Sequence, residues 1–325
     1  MFINILLLLV KRKLTRQTWI TLKINYIKQN CKSILHKIDS PRLPFKWGAN
    51  PYRGCLHSCI YCYARYTHSY LELDPECDFE TTIIVKKNAA KILRKELSHP
   101  KWQKELVNLG SVCDPYQPIE RKEQITRDML KEFHRFRSPV TIATKSSLIT
   151  RDKDILAEIA SESFLEVVFS ISTLDDEIAK KIDPRVLPVK HRLEAISELR
   201  SENVRVGVLL MPIIPFLNDS EEEINSLYKA VFEAGANFVI PGILYLMGSS
   251  KTRFLDFIAN KYPNLYEKFK RFYLKRSPPQ DYKEKIYKIF KDSARKYNFD
   301  EARSHHSKLP KIDQKTIDQW FLEKE

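Results

Sequence analysis

The chain has 325 residues, of which 43% are hydrophobic, and a formal net charge of +14. A chain of this length can bury a substantial core, and a content of only 7 Gly and 17 Pro excludes a collagen-like or low-complexity composition. Six cysteines are too few for a disulfide scaffold, and three of them fall within eight positions, which indicates a metal site in a reducing compartment.

The chain begins with an apolar run, Met1–Val10, followed by three basic residues. A membrane span needs roughly 20 apolar residues. The run also lacks the preceding basic residues and the small-residue cleavage site of a signal peptide. We interpret it as the product of a misassigned upstream start codon or as a short docking strand, and we expect a cytoplasmic protein with no membrane partner.

Strands and helices are predicted to alternate after the cysteine cluster, which itself follows a first strand. The further strands are predicted at 106–110, 140–144, 165–172, 204–211 and 237–244, and the helices at 88–97, 122–136, 152–160, 189–202 and 220–234. Six strands, each but the last followed by helix, are typical of β/α units around a parallel sheet. The sequence therefore predicts an α/β fold, a partial (β/α)6 TIM-like barrel, with its site where the loops after the strands converge.

Beyond residue 251 the pattern becomes helical, with Phe254, Phe257, Ile258 and Tyr262 at helical spacing. We expect this region to close over the side or base of the barrel. The predicted organisation is a basic N-terminal extension (1–41), a barrel core (42–250), a basic helical C-terminal region (251–300) and a polar tail (301–325).

The basic charge lies in the flanks of the chain. Residues 1–50 hold 10 Lys and Arg against one acidic residue, and residues 251–300 hold 14 against 6. Interleaved with aromatics, such charge can neutralise phosphates and stack bases, so a nucleic-acid partner is one interpretation. The alternative is that the aromatics belong to the core, while the lysines serve solubility or thermal stability.

Cys55, Cys59 and Cys62 are separated by three and then two residues. Pro51 and Gly54 break regular structure just before them, which predicts that the thiols lie on a loop after a strand. The alternative is one face of a helix, because positions i, i+4 and i+7 align. An inert stripe of three cysteines is a poor explanation in a chain with so few.

Two metal centres fit three cysteines. A structural zinc site needs four ligands, and His57 is the available fourth. It lies between two of the cysteines, however, where it would crowd a tetrahedron. A four-iron cluster usually has four cysteines, and three leave one iron open to bind substrate. We therefore favour an iron–sulfur cluster over zinc.

The motif resembles that of the radical S-adenosylmethionine (SAM) superfamily, in which an aromatic residue precedes the last cysteine, here Tyr61. The longer string, Asn-Pro-Tyr-Arg-Gly-Cys through Cys-Tyr-Ala, is similar to the branch related to spore photoproduct lyase, also described as DNA repair photolyases. The resemblance covers about residues 42–250. It implies a 4Fe–4S cluster on Cys55, Cys59 and Cys62, and SAM bound to the open iron through its amino and carboxylate groups.

The resemblance also implies the opening chemistry. An electron from a reductant such as ferredoxin or flavodoxin cleaves SAM to methionine and a 5′-deoxyadenosyl radical, which abstracts a hydrogen from the substrate. Ser111 and Asp114 follow the second strand, in a segment similar to the one that meets the methionine amino group. Judged by residue type alone, Asp114 is also an ordinary turn residue.

Further cofactor contacts are implied at later strand ends. Lys145 follows the third strand and is expected to pair with the methionine carboxylate, although a solvated loop lysine is the alternative reading. Ser170 and Ser172 end the fourth strand on one face and are expected to contact the ribose or carboxylate. Arg185 lies in an Asp-Pro-Arg element that resembles a Glu-Pro-Arg element of the family, and an arginine can clamp a carboxylate in bidentate fashion.

Spore photoproduct lyase needs a cysteine hydrogen donor near the end of the second strand. Cys113 is the candidate here, but it falls about two positions later than that donor, directly before Asp114. The resemblance therefore favours a radical SAM enzyme acting on nucleic acid, by lesion repair or base modification. The alternatives are a radical activase or peptide- or small-molecule-modifying enzyme, and a non-catalytic zinc-stabilised nucleic-acid-binding module.

Overall fold

The computed structural model describes residues 23–40 and 43–299. The apolar run Met1–Val10 and the predicted polar tail at 301–325 lie outside these residues. Within them, no helix is both long enough and apolar enough to cross a membrane.

The described strands form two sheets, with β10-β9-β8-β7-β6-β3-β2 as the order of the larger and β1-β5-β4 as that of the smaller. In chain order the strands are β1 (Asn25–Gln29), β2 (Leu35–Lys37), β3 (Trp47–Ala49), β4 (Tyr52–Arg53), β5 (Thr82–Lys86), β6 (Val107–Leu109), β7 (Val140–Thr144), β8 (Leu165–Ser170), β9 (Arg205–Ile213) and β10 (Phe238–Ile243).

Six strands of the larger sheet, β3 and β6 to β10, are parallel and are arranged side by side in the order in which they occur along the chain, and β2 adds an antiparallel edge. This confirms the predicted six-stranded β/α core, including the strand just before the cysteines. The two ends of the order, β10 and β2, are not paired in the described residues, so the sheet is a partial barrel rather than a closed one.

Helices follow the strands and bury one face against the sheet. In chain order they are α1 (Ala89–Leu97), α2 (Glu120–Glu123), α3 (Ile125–Arg135), α4 (Lys153–Glu162), α5 (Asp176–Ile182), α6 (Val189–Ser201), α7 (Glu221–Glu233), α8 (Gly248–Lys261), α9 (Tyr266–Phe272) and α10 (Gln280–Lys296). In α3, for example, Met129, Leu130 and Phe133 are fully buried, the spacing that one apolar helix face requires.

The smaller sheet is absent from the sequence-based prediction. Its central strand β5 is a buried β-branched run containing Ile83, Ile84 and Val85, and it pairs in parallel with β1 and antiparallel with β4. Because β4 runs directly into the cysteine loop, this sheet supports the loop from one side.

The C-terminal region is helical, as predicted, and α8 already begins at Gly248, so it runs across the expected boundary at residue 250. Its apolar side chains form a second core with residues of the barrel loops. Phe254 and Phe269 lie in this core together with Ile60 of the cysteine loop and Ile182 at the end of α5. The C-terminal helices therefore pack directly against the segment that carries the cysteines.

Candidate active site

The three cysteines lie on an irregular loop between β4 and a 3-10 helix, Tyr63–Leu71, which confirms the loop prediction and excludes a continuous helical face. Gly54 begins the loop at φ +80°, and a Cβ there would lie 2.8 Å from the Thr82 carbonyl oxygen. Only glycine therefore fits without displacing backbone. The Cys55 amide then donates to the Phe79 carbonyl at 3.0 Å, which ties the loop to the segment before β5.

Burial places the three thiols in a low-dielectric site. It raises the pKa of Cys55, and the Asp114 carboxylate adds to that rise. Burial likewise raises the pKa of Cys59, with a further contribution from Asp183, and that of Cys62. Thiolates are therefore costly in this loop without a cation to balance them, and a cationic iron cluster supplies that balance.

The donor set fits a cluster better than a single ion. Among residues 23–40 and 43–299, no three His, Cys, Asp or Glu side chains are grouped around one metal position. The His57 Nε2 atom lies 3.0 Å from Asp114 Oδ2, so its imidazole is directed to that carboxylate. Cys55, Cys59 and Cys62 would thus hold three irons of a 4Fe–4S cluster.

Lys145, Tyr61 and Asp183 form a buried network next to the cysteines. The Lys145 ammonium donates to the Tyr61 hydroxyl at 2.9 Å and lies 3.2 Å from Asp183 Oδ2. The Tyr61 hydroxyl donates to Asp183 at 2.8 Å. Burial opposes both charges, but the pair outweighs it, so the pKa of Asp183 is lowered and that of Lys145 is raised.

This network unites two of the predicted cofactor contacts with one residue that was not predicted as a site residue. Asp183 is the first residue of the Asp-Pro-Arg element, and it contacts both Tyr61 of the cysteine motif and Lys145 after the third strand. In this arrangement the Lys145 ammonium already has an internal carboxylate partner. To pair with the methionine carboxylate, it must either contact both carboxylates at once or give up its contact with Asp183.

Asp114 is saturated by donors from the chain. Its Oδ1 accepts from the Tyr116 amide at 2.8 Å and the Thr144 hydroxyl at 2.7 Å, and its Oδ2 accepts from the Lys145 amide at 2.7 Å, beside His57. Burial raises the pKa of Asp114, but His57 and these hydrogen bonds lower it more, so the net shift is downward. A ligand amino group would have to displace one of these donors.

Ser111 and Cys113 lie together around Asn50, which directly follows β3. The Asn50 amide nitrogen donates to Ser111 Oγ at 2.9 Å, and its oxygen lies 3.7 Å from the Cys113 sulfur. Cys113 is only 6% exposed, and burial raises its pKa to about 12. The thiol is therefore protonated at neutral pH.

The structure does not bring Arg185 into this group. Its guanidinium donates to the Glu80 carbonyl oxygen at 3.1 Å, on the side of the smaller sheet. Ser170 ends β8, and the Ser172 carbonyl just beyond it accepts from the buried Asn218 amide at 2.5 Å. Asn218 thereby links the ends of β8 and β9.

A second buried group holds the segment after the cysteines. Arg65 is fully buried, donates to the Cys59 carbonyl at 3.3 Å and pairs with Glu80 at 2.5 Å. The other oxygen of Glu80 lies 2.7 Å from Arg253 of α8. The residues of this group are far apart in sequence, so only the fold reveals that one carboxylate ties the cysteine segment to a C-terminal helix.

Three cysteines, two buried and one half-buried, lie on a loop at the strand ends of a parallel partial barrel. They define an enzyme class that binds a four-iron cluster and leaves one iron open. The Radical SAM superfamily matches residues 49–227. An uncharacterized protein of Mycobacterium tuberculosis is 35% identical, covering 79% of this chain and 76% of its own. Another, from Methanocaldococcus jannaschii, is 29% identical over 75% of this chain and 86% of its own. The chain belongs to the Radical SAM superfamily, whose enzymes use a 4Fe–4S cluster and SAM.

Solved structures agree on the fold. A spore photoproduct lyase variant with bound AdoMet and dinucleoside spore photoproduct superimposes with a TM-score of 0.62 at 12% identity, covering 84% of this chain and 79% of that one. Spore photoproduct lyase complexed with dinucleoside spore photoproduct gives a TM-score of 0.60 at 14% identity, with the same coverage. The fold is therefore the one predicted from the motif, and the zinc-binding module finds no support.

Proposed function

We propose that this enzyme reductively cleaves SAM and uses the resulting radical to abstract a hydrogen atom from a nucleic-acid substrate, as part of lesion repair or base modification. The observation that carries the proposal is the position of Cys113, a buried protonated thiol at the end of the second strand of the core, in a fold shared with spore photoproduct lyase. A protonated thiol can return a hydrogen atom to a substrate radical, so Cys113 is the candidate donor.

The cofactor contacts proposed here are those that the sequence resemblance suggests, without Arg185. Tyr61 of the cysteine loop and the neighbouring Lys145 are proposed to bind the methionine end of SAM, with Asp183 as the internal partner of the lysine. Ser111 and Asp114 lie after the second strand of the core, and Ser170 and Ser172 lie at the end of the fourth. A low-potential donor such as ferredoxin or flavodoxin is expected to supply the electron.

The first experiment tests the opening step. Anaerobically reconstituted protein, given SAM and dithionite, is expected to form 5′-deoxyadenosine, and Cys59→Ala is expected to abolish it. A fully loaded cluster that yields no 5′-deoxyadenosine would contradict the proposal.

The second experiment tests the substrate class. With a perdeuterated single-stranded oligodeoxynucleotide carrying ultraviolet lesions, the 5′-deoxyadenosine recovered is expected to contain deuterium by mass spectrometry. A perdeuterated peptide mixture serves as the matched alternative. Deuterium transferred from peptide but not from oligonucleotide would establish a peptide-modifying enzyme instead.

A further inference from the structure

A group of basic side chains lies on one face of the smaller sheet, near Cys113. Arg53 in β4 is paired with Ile84 in β5. Because side chains alternate along a strand, Lys86, two residues beyond Ile84, shares the face of Arg53. The Lys86 ammonium donates to the Asn50 carbonyl at 2.6 Å, which brings this face to the end of β3.

His36 of β2 reaches the same place across a glycine. A Cβ on Gly48 would lie 2.4 Å from His36 Nε2. The imidazole therefore lies against the bare backbone of β3, and any larger residue there would displace it. Its Nε2 lies 3.4 Å from Ser111 Oγ. We refer to His36, Arg53 and Lys86 as the basic patch.

Asn50 joins the basic patch to the candidate hydrogen donor. Its backbone carbonyl accepts from Lys86, while its side chain contacts both Ser111 and the Cys113 sulfur. In space, therefore, only Asn50 lies between a group bound at the basic patch and Cys113.

Arg53 and Lys86 give the patch positive charge that the described residues do not neutralise. Burial, together with Lys86, lowers the pKa of His36, so its imidazole is neutral at pH 7 and serves as a hydrogen-bonding group. No hydrogen bond or ion pair of the Arg53 guanidinium occurs within residues 23–40 and 43–299. Burial lowers the pKa of Lys86, and Arg53 lowers it further. The nearby carboxylate of Glu96 is occupied by the Ser33 hydroxyl at 2.6 Å and the Leu35 amide at 2.9 Å. Positive charges held close together in this way favour the binding of an anion at the patch.

An exposed aromatic ring adjoins the patch. Tyr63 hydrogen-bonds through its hydroxyl to the Ser111 carbonyl, yet the residue is 54% exposed. A ring anchored at its polar end with an open face is suited to stack a base. Phosphate-binding cations beside a stacking ring are the two elements that recognise single-stranded nucleic acid.

We propose that His36, Arg53 and Lys86 bind a phosphodiester group of the substrate, and that an adjacent base lies against Tyr63 within reach of Cys113. This inference rests on the proposed nucleic-acid function and specifies its binding site. It assigns phosphate binding to this patch rather than to the lysines and arginines of the basic flanks.

Binding of a fluorescein-labelled single-stranded oligodeoxynucleotide to the reconstituted, SAM-loaded enzyme tests the patch. Arg53→Gln is expected to weaken binding about tenfold, as the loss of one charge-assisted contact does. The logarithmic salt dependence should also become less steep by about 0.7, the contribution of one phosphate on a single strand. Arg53→Lys should restore most of the salt dependence, and Arg135→Gln on the outer helix α3 is the matched control that should match the wild type.

An oligonucleotide with neutral methylphosphonate linkages separates phosphate recognition from a structural effect. The wild type should lose affinity for it, whereas Arg53→Gln should bind both oligonucleotides about equally. If the wild type and Arg53→Gln bind the normal oligonucleotide with equal affinity and salt dependence, the phosphate site proposed here is wrong, but the proposed nucleic-acid function is not contradicted. If the wild type binds no oligonucleotide, both the phosphate site and the proposed function are wrong.

Discussion

Cys113 is protected from ionisation by its surroundings, and this has a measurable consequence. Burial raises its pKa to about 12, although Lys86 acts in the opposite direction. At any pH below that value the thiolate fraction falls tenfold per pH unit, so between pH 7 and 9 Cys113 should carry about a thousandfold less thiolate than a free cysteine of pKa about 8.5. A hydrogen-atom donor benefits, because it must hold its proton in the resting state.

We expect alkylation of Cys113 by iodoacetamide, followed by mass spectrometry, to be slow and to rise tenfold per pH unit up to pH 9 without a plateau. Cys77 serves as an internal control in the same digest, since it is exposed and its pKa is raised only to about 11. Its thiolate is roughly tenfold more abundant at each pH, so it should react sooner. A plateau for Cys113 near pH 8 would contradict the predicted protection.

Asp183 should matter to the stability of the fold as well as to the proposed cofactor site. Asp183→Asn keeps a partner for the Tyr61 hydroxyl but leaves the Lys145 ammonium, with a side chain 13% exposed, without its carboxylate. Removing one member of a buried pair costs about 3–5 kcal/mol. We expect a loss of that order in urea denaturation of the metal-free protein, whereas Tyr61→Phe should cost only about 1 kcal/mol. Equal losses in the two variants would show that Lys145 does not depend on Asp183.

At the scale of elements, Glu80 connects the cysteine segment to the C-terminal helix α8 through Arg65 and Arg253. Glu80→Gln retains the shape but removes the buried carboxylate that Arg65 and Arg253 share, which should cost about 3–5 kcal/mol in urea denaturation. Because Arg65 also holds the Cys59 carbonyl, the variant should release its iron faster to a chelator. The control is Glu132→Gln, because Glu132 pairs with the exposed Arg94. Equal rates of iron release in the two variants would show that Glu80 does not hold the cysteine loop.

An element can be predicted from the sequence when the residues that determine it lie within the element and its flanking turns. The strand Val140–Thr144 was predicted to the residue, since its buried run and flanking turns are encoded locally. The smaller sheet was missed because β1 pairs with β5 across more than 50 residues and β4 has only two residues. For the site, the spacing of Cys55, Cys59 and Cys62 is by itself enough to predict a metal site. Asn50 and Arg53 stand in the same motif string. The contacts of Asn50 with Cys113 and of Asp183 with Lys145, however, arise only in the tertiary structure, which spacing does not encode.

At the scale of the whole molecule, basic side chains that can meet a polyanion lie in two separate places. Helix α10 exposes Lys285, Lys288 and Lys291 while its buried face packs on α7 and β10. The basic patch lies by β2 and β3, at the other end of the sheet order. Exposed charges act over a Debye length of about 8 Å at 0.15 M salt. The lysines of α10 should therefore speed the approach of a polyanion at low salt, but they should not determine where it binds.

Replacing Lys285, Lys288 and Lys291 together with Gln tests this division, because it removes three charges from the flank and none from the patch. At 0.15 M salt we expect oligonucleotide affinity to change by less than about twofold, since screening suppresses the distant charges. At 0.02 M salt the same variant should associate more slowly in stopped-flow measurements, by a few-fold. The triple Arg substitution at these positions is the control for helix packing and should resemble the wild type at both salt concentrations. If the triple Gln variant loses as much affinity at 0.15 M salt as Arg53→Gln, the strand lies on α10 and the basic flank, rather than the barrel mouth, is the nucleic-acid surface.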